Sequence, residues 1–130
     1  MKYFLDVNAL IAFGITQHQF HQRVVDWIHS QRGSAFLTSS VTEIGFVRVV
    51  ASVAMYDLKV PQARMLLLGM KSNAAQQLNF ISDANDISAL PLWAQFPAQT
   101  AAGHLVQLAS ANGAVLATLD EGIPGTFVIP

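Results

Sequence analysis

Short apolar runs along this chain alternate with longer stretches whose apolar residues recur at helical spacing. Lys2 to Val7 (KYFLDV) predicts a buried strand that turns into a helix over Ala9 to Phe13, with Asp6 and Asn8 at the junction. From His18 to Gln31, the residues Phe20, Val24, Trp27 and Ile28 share one side of a helix whose other side is His, Gln, Arg and Asp, and Gly33 stops it. Ala35 to Thr38 predicts a second strand. Ser39 or Ser40 then caps a helix to about Met55 in which valines, Ile44 and Phe46 cover nearly every face, the mark of a buried helix. Pro61 suits the first turn of a helix running to about Ser72, with Ala63, Leu66, Leu67 and Met70 inward. Leu78 to Ile81 predicts a strand, and Ser82 to Phe96 an irregular segment with a helical turn near Asp86. Gln99 to Asn112 predicts a helix with Ala102, Leu105, Val106 and Ala109 inward. Val115 to Thr118 is a strand that delivers Asp120, and Thr126 to Ile129 a short last one.

Strands alternating with helices make the economical architecture an α/β fold of three layers, α/β/α, around a central, mostly parallel sheet. At 130 residues the chain fits one domain, 1–130, able to remove roughly two thirds of its unfolded surface from water. Hydrophobic residues make up 52% and charged ones 12%, so apolar surface is left over for a partner and a homodimer is expected. Polar residues interrupt every apolar stretch short of the ~18 residues of a membrane span. Met1 to Phe13 carries Asp6 within its apolar part and lacks a small-residue cleavage site, so no signal peptide is expected. Zero cysteines exclude a disulfide framework and a thiolate metal site, and a cytoplasmic protein is expected. The net charge of −1 excludes a broad basic surface, so any RNA contact must rest on a few cations and a metal.

Ligands of parallel sheets sit beyond the carboxyl ends of the strands. Asp6 and Asp120 are expected there, and Glu43, one turn into the helix after the second strand, reaches the same edge. An acid against a hydrophobic strand end persists where a cation, a base partner or chemistry needs it. Asp6, Glu43 and Asp120 therefore read as a metal site. Each also has a plainer role: Asp6 as a helix cap, Glu43 as the capping-box partner of Ser40, Asp120 as a turn residue in LDEGIPG. Three such coincidences in the right order favour one site. Asn8 is placed to orient Asp6 or its waters, and Thr118, two residues before Asp120, to hydrogen-bond a neighbouring carboxylate or water. Arg48, in an otherwise apolar helix, either pairs with a buried carboxylate, the favoured reading, or contacts an RNA phosphate or a partner's phosphate or acid. His18, His21 and His29 belong to a solvated helix face, and Trp27 and Trp93 to packing or an interface.

The segments LDVNAL around Asp6, HQFHQRVVDWI from His18 to Ile28, TEIGFVRV around Glu43 and GHLVQLASANGAVLATLD ending at Asp120 together resemble the PIN-domain ribonucleases, in particular the VapC-type toxins of toxin–antitoxin pairs. The resemblance spans nearly the whole chain. It implies a PIN-like fold and a magnesium- or manganese-dependent endoribonuclease. Asp6 and Asp120 would be direct or water-mediated ligands, Glu43 a ligand or general base, RNA the substrate, and a peptide-like cognate antitoxin the partner that covers the site.

One position departs from that pattern. In the family the helix before the last core strand opens with an aspartate three residues ahead of a leucine. Counting back from Leu105 gives Ala102, and no carboxylate lies between Ile87 and Leu119. His104, two residues on, points about 200° around the helix and does not replace it. The lost ligand implies weakened or absent cleavage, and the rival expectation is a catalytically silent PIN-like module that binds RNA or an antitoxin. A phosphotransfer domain is disfavoured, because Asn8 stands where a D-x-D nucleophile has its second aspartate and the nearest lysine before the last strands is Lys71.

Overall fold

The computed structural model describes all of residues 1–130. Five strands, β1 (Lys2–Leu5), β2 (Ala35–Thr38), β3 (Leu78–Phe80), β4 (Val115–Thr118) and β5 (Thr126–Val128), form one sheet in the order β3-β2-β1-β4-β5. Every neighbouring pair is parallel, with Phe4 opposite Leu37, Leu5 opposite Ala117 and Thr38 opposite Phe80. The helices are α1 (Val7–Gly14), α2 (His21–Ser30), α3 (Ser40–Ser52), α4 (Val60–Lys71) and α5 (Thr100–Ala111).

From β1 the chain steps outward to β2 and β3, then returns across β1 to β4 and β5. Crossovers in parallel sheets are right-handed, so steps in opposite directions must use opposite faces. The side chains follow this rule. Tyr3, Leu5, Phe36 and Ala117 pack with α1, α2, α3 and α4, while Phe4, Leu37 and Leu116 pack with Leu105, Leu108 and Ala109 of α5. Between β1 and β4 the direction of travel reverses, and the edge above that pair is where such sheets leave room for a ligand.

Burial anchors both layers. Phe4, Phe36 and Phe46 are wholly enclosed, and a side chain of this kind contributes about 1.5–3 kcal/mol when buried. Trp27 packs edge-on against Tyr3 at 4.9 Å and Phe36 at 5.6 Å, so it is a core residue. α3 and α1 approach so closely at Gly45 that a Cβ there would lie 2.7 Å from Val7 Cγ2. This contact seats the start of α1 against the first turns of α3.

Several expectations change. α2 begins at His21 rather than His18, because His18 Nδ1 accepts the Phe20 amide at 3.0 Å in a turn. α3 ends at Ser52, and only Thr42, Gly45, Phe46 and Val50 of it are buried. Its Ile44 is 66% exposed, since α1, α4 and the sheet cover one side of the helix and not the whole of it. Arg48 lies on the open side and pairs with no carboxylate; the ion pairs are Lys71–Glu43 and His104–Asp83. In α5 the buried residues are Gly103, Leu105, Leu108 and Ala109, with Ala102 and Val106 half-buried. No helix is long and apolar enough to cross a membrane.

Candidate active site

β1 closes at Leu5, and the Asp6 amide makes one more ladder bond, donating to the Ala117 carbonyl at 3.0 Å. Asp6 then caps α1, its Oδ1 accepting the Val7 amide at 2.8 Å. The cap role and a site role coexist, because the second oxygen faces elsewhere: Asp6 Oδ2 accepts from Thr118 Oγ1 at 2.7 Å. Thr118, the fully buried last residue of β4, also accepts from Asn8 Nδ2 at 3.2 Å and from the Asp120 amide at 3.1 Å. One donation and two acceptances saturate a hydroxyl. Asn8 Oδ1 in turn accepts the Leu119 amide at 3.1 Å. Asn8 therefore fixes Thr118 and the start of the β4 exit loop, and acts on Asp6 only through them.

Asp120 leaves this knot at the surface, with Oδ1 accepting the Gly122 amide at 2.9 Å in a turn. Burial pushes the Asp6 carboxyl above the ordinary carboxylate range. The bonds from Thr118 and Val7 pull it back, and the charge of Asp120 adds to the rise. Asp6 and Asp120 are thus close enough to feel each other, and neither has a cationic partner.

Glu43 occupies the other side of β1. Thr42, not Glu43, closes the cap of α3, its Oγ1 accepting the Ser39 amide at 3.0 Å. Glu43 is left free for the sheet edge. Its Oε2 accepts from Thr38 Oγ1, at the end of β2, at 2.6 Å. Lys71, the last residue of α4, brings Nζ to 3.0 Å from Oε1 and 2.8 Å from Oε2. The same ammonium lies 5.3 Å from the centroid of the Phe80 ring. Thr38 and Lys71 are the site residues that the sequence reading missed. Thr38 repeats the placement of Thr118 at a strand end, a signal present in the pattern; Lys71 arrives by tertiary packing alone.

β2 and β4 flank β1, so the two threonines stand about 10 Å apart across the edge. No three of the Asp, Glu and His side chains stand close enough together to hold one ion. As a donor set, Asp6 and Asp120 fit a hard divalent cation, being carboxylates drawn together at the edge without a counter-charge. Glu43 shares the edge but is already neutralised. Three of the four histidines are engaged elsewhere: His18 Nδ1 accepts the Phe20 amide, His21 Nδ1 lies 2.7 Å from the Ala12 carbonyl, and His104 Nε2 lies 2.8 Å from Asp83 Oδ2.

Beside Glu43, α3 and α4 enclose a groove of about 520 Å³ lined by Ile44, Val47, Leu67 and Leu68, with Arg48 and Arg64 among its polar residues.

A five-stranded parallel sheet in three layers, with Asp6 and Asp120 at its carboxyl edge, has the PIN-like fold. No protein-family model matches the chain. It is 32% identical over 125 residues to ribonuclease VapC38 of Mycobacterium tuberculosis, a match covering 92% of this chain and 85% of that one. Among solved structures, M. tuberculosis VapC20, described as a Sarcin-Ricin loop cleaving toxin, superposes with a TM-score of 0.69 at 10% identity over 98% of this chain and 99% of that one. VapBC2 from Rickettsia felis, solved bound to a DNA fragment from its promoter, gives a TM-score of 0.61 at 14% identity, covering 98% and 96%. The chain belongs to the VapC ribonuclease family.

Proposed function

We propose that this chain is a divalent-metal-dependent endoribonuclease acting at the carboxyl edge between β1 and β4. One arrangement carries the reading: Thr118 bonds the Asp6 carboxylate and the Asp120 amide, drawing together two acids that no cationic side chain offsets. Asp6 and Asp120 are the residues to hold magnesium or manganese, directly or through water, and Thr118 with Asn8 keeps Asp6 in place. When bound, such an ion supplies a water of lowered pKa and offsets charge on the phosphorane. Glu43, once released from Lys71, is a further ligand or the base that accepts the proton of the attacking water.

RNA as the substrate is supported by the ribonuclease name of VapC38, and an antitoxin partner by the VapBC2 assembly. The groove between α3 and α4 suits an antitoxin segment with apolar side chains toward Ile44 and Leu68 and acids toward Arg48 and Arg64. Exposed Met55 and Met65 leave further apolar surface for a second copy of the chain. An RNA substrate would place its action in the cytoplasm.

Cleavage of a mixed RNA pool, followed as Mn²⁺ is titrated in, tests the reading. Cleavage should require the ion, stop with chelator, and fall by roughly two or more orders of magnitude in Asp6→Asn and in Asp120→Asn. Undiminished cleavage by both variants sinks it. A second reading, a catalytically silent module that binds RNA or antitoxin, is favoured by Ala102, which stands at the opening of α5 without a carboxylate. No cleavage by the chain as it stands, with activity gained in Ala102→Asp, would select that reading.

A further inference from the structure

Both oxygens of Glu43 are occupied. Lys71 Nζ reaches each of them, at 3.0 Å and 2.8 Å, and Thr38 adds a third bond at 2.6 Å. The Lys71 ammonium is itself held in place. It ends α4, where the helix dipole favours a cation, it lies over Phe80, and its side chain is 24% exposed against 20% for Glu43. Across β1 the Asp6 and Asp120 pair has no such partner. The edge therefore holds two acids lacking a cation beside one acid that already has one, and no three of its acids converge.

We propose that Lys71 is the resident counter-cation of Glu43 and gates loading of the edge site: a divalent ion recruits Glu43 only by exchanging with the Lys71 ammonium. This inference rests on the metal-site reading above and adds to it a positioning residue. The physical basis is a competition of two cations for one carboxylate. With Lys71 in place, a divalent ion meets the Asp6 and Asp120 pair alone, and gaining Glu43 as a third donor means giving up the ammonium bonds while Thr38 retains its hold. Removing the ammonium should free Glu43 to turn toward the pair. Its negative charge then adds to theirs, and a third oxygen donor becomes available.

The experiment is calorimetric titration of the whole chain with Mn²⁺ alone, without RNA. Lys71→Met keeps the length and apolar stem of the side chain and removes its charge. It should bind Mn²⁺ about tenfold more tightly than the wild type, the scale on which outer partners of metal ligands act. Lys71→Arg, which keeps the charge, should bind as the wild type does. In the Lys71→Met background Glu43→Gln should weaken binding by more than it does in the wild-type background, a coupling that loss of fold stability alone does not generate. Circular dichroism checks that Lys71→Met is folded, and Lys71→Gln serves as a second neutral variant.

Equal or weaker Mn²⁺ binding by both neutral variants overturns the gate, as does additivity of the two substitutions. Saturable binding by the wild type that is lost in Asp6→Asn, with Lys71→Met unchanged, removes the gate and leaves the metal site standing. Absence of saturable binding in the wild type and in both neutral variants removes both.

Discussion

The two sides of β1 use the same device to different ends. On the β4 side Thr118 holds the Asp6 carboxylate; on the β2 side Thr38 holds the Glu43 carboxylate. Each threonine ends its strand and is fully buried, so each acid is delivered to the edge by a hydroxyl that cannot move far. The difference lies in what neutralises the charge. Glu43 meets Lys71 from α4, whereas Asp6 meets a second acid, Asp120, which adds to the upward push that burial gives its carboxyl. A carboxylate with an ammonium beside it is complete as it stands. A half-buried carboxylate facing another is not, and it is the half of the edge that gains from a cation.

The largest effect that separates the two halves should come from the ion itself. At a free Mn²⁺ concentration 100-fold above its Kd, one-site binding to the native state alone stabilises it by about 2.7 kcal/mol. Thermal unfolding of the wild type should rise accordingly, and the rise should vanish in Asp6→Asn. Glu43→Gln should keep most of it. If Glu43→Gln abolished the shift and Asp6→Asn did not, the assignment of the open half would be reversed.

Next in size is the cost of removing each hydroxyl. Thr118 donates one bond and accepts two, while Thr38 is the donor of one bond to a carboxylate that Lys71 also holds. Thr118→Val strands the Asn8 and Asp120 donors and leaves Asp6 with its cap bond alone. It should cost about 1–3 kcal/mol, against about 0.5–1.5 kcal/mol for Thr38→Val. Denaturant unfolding of both variants measures the difference, and equal costs would mean that the Thr118 bonds contribute no more than the single Thr38 one.

How much of this contrast the sequence discloses depends on the reach of each interaction. Asp6, Thr118 and Asp120 lie where apolar runs stop, so a one-dimensional pattern locates them, and the place of Thr118 two residues before Asp120 points it to a neighbouring carboxylate or water. The parallel, alternating architecture is legible in the same way. The strand order is not, because alternation leaves open which strands neighbour β1; only the packed chain shows β4 there. Lys71 is hidden too, since its position near Glu43 depends on how α4 folds back along α3, 28 residues later in the chain. Arg48 misleads because valine-rich composition suggests burial all round, whereas α3 is covered on one side and leaves Ile44 and Arg48 facing the groove. The Ser40 to Glu43 spacing suggests a capping box, yet the helix starts one residue differently and Thr42 takes the role.

A subtler contrast appears with pH. Burial first, and the Asp120 charge in addition, raise the Asp6 carboxyl, so the folded chain keeps that proton to higher pH than the unfolded chain does. Between the ordinary carboxylate range and the raised value the native state binds more protons, so its stability falls as pH rises through that window. Above the window the full cost of the partly desolvated charge is present. Asp6→Asn removes the charge and keeps a good N-cap. In the absence of metal its unfolding midpoint should exceed that of the wild type at neutral pH, and the gap should close as pH drops below the ordinary carboxylate range. A gap that widened on acidification would contradict the direction of the shift.

The smallest effect belongs to the completed half. Lys71 and Glu43 are a fifth to a quarter exposed, so water and salt screen their attraction, and fixing a lysine side chain costs entropy. Lys71→Met should therefore change stability by about 1 kcal/mol or less, measured by denaturant unfolding at low salt, and by less still as salt is added. The methionine keeps an apolar stem near Phe80, which further limits the loss. A cost of several kcal/mol, insensitive to salt, would show that the ammonium is needed to hold α4 against α3. Lys71 would then be a structural strut, and the asymmetry between the two halves of the edge would reflect packing rather than control over where a cation binds.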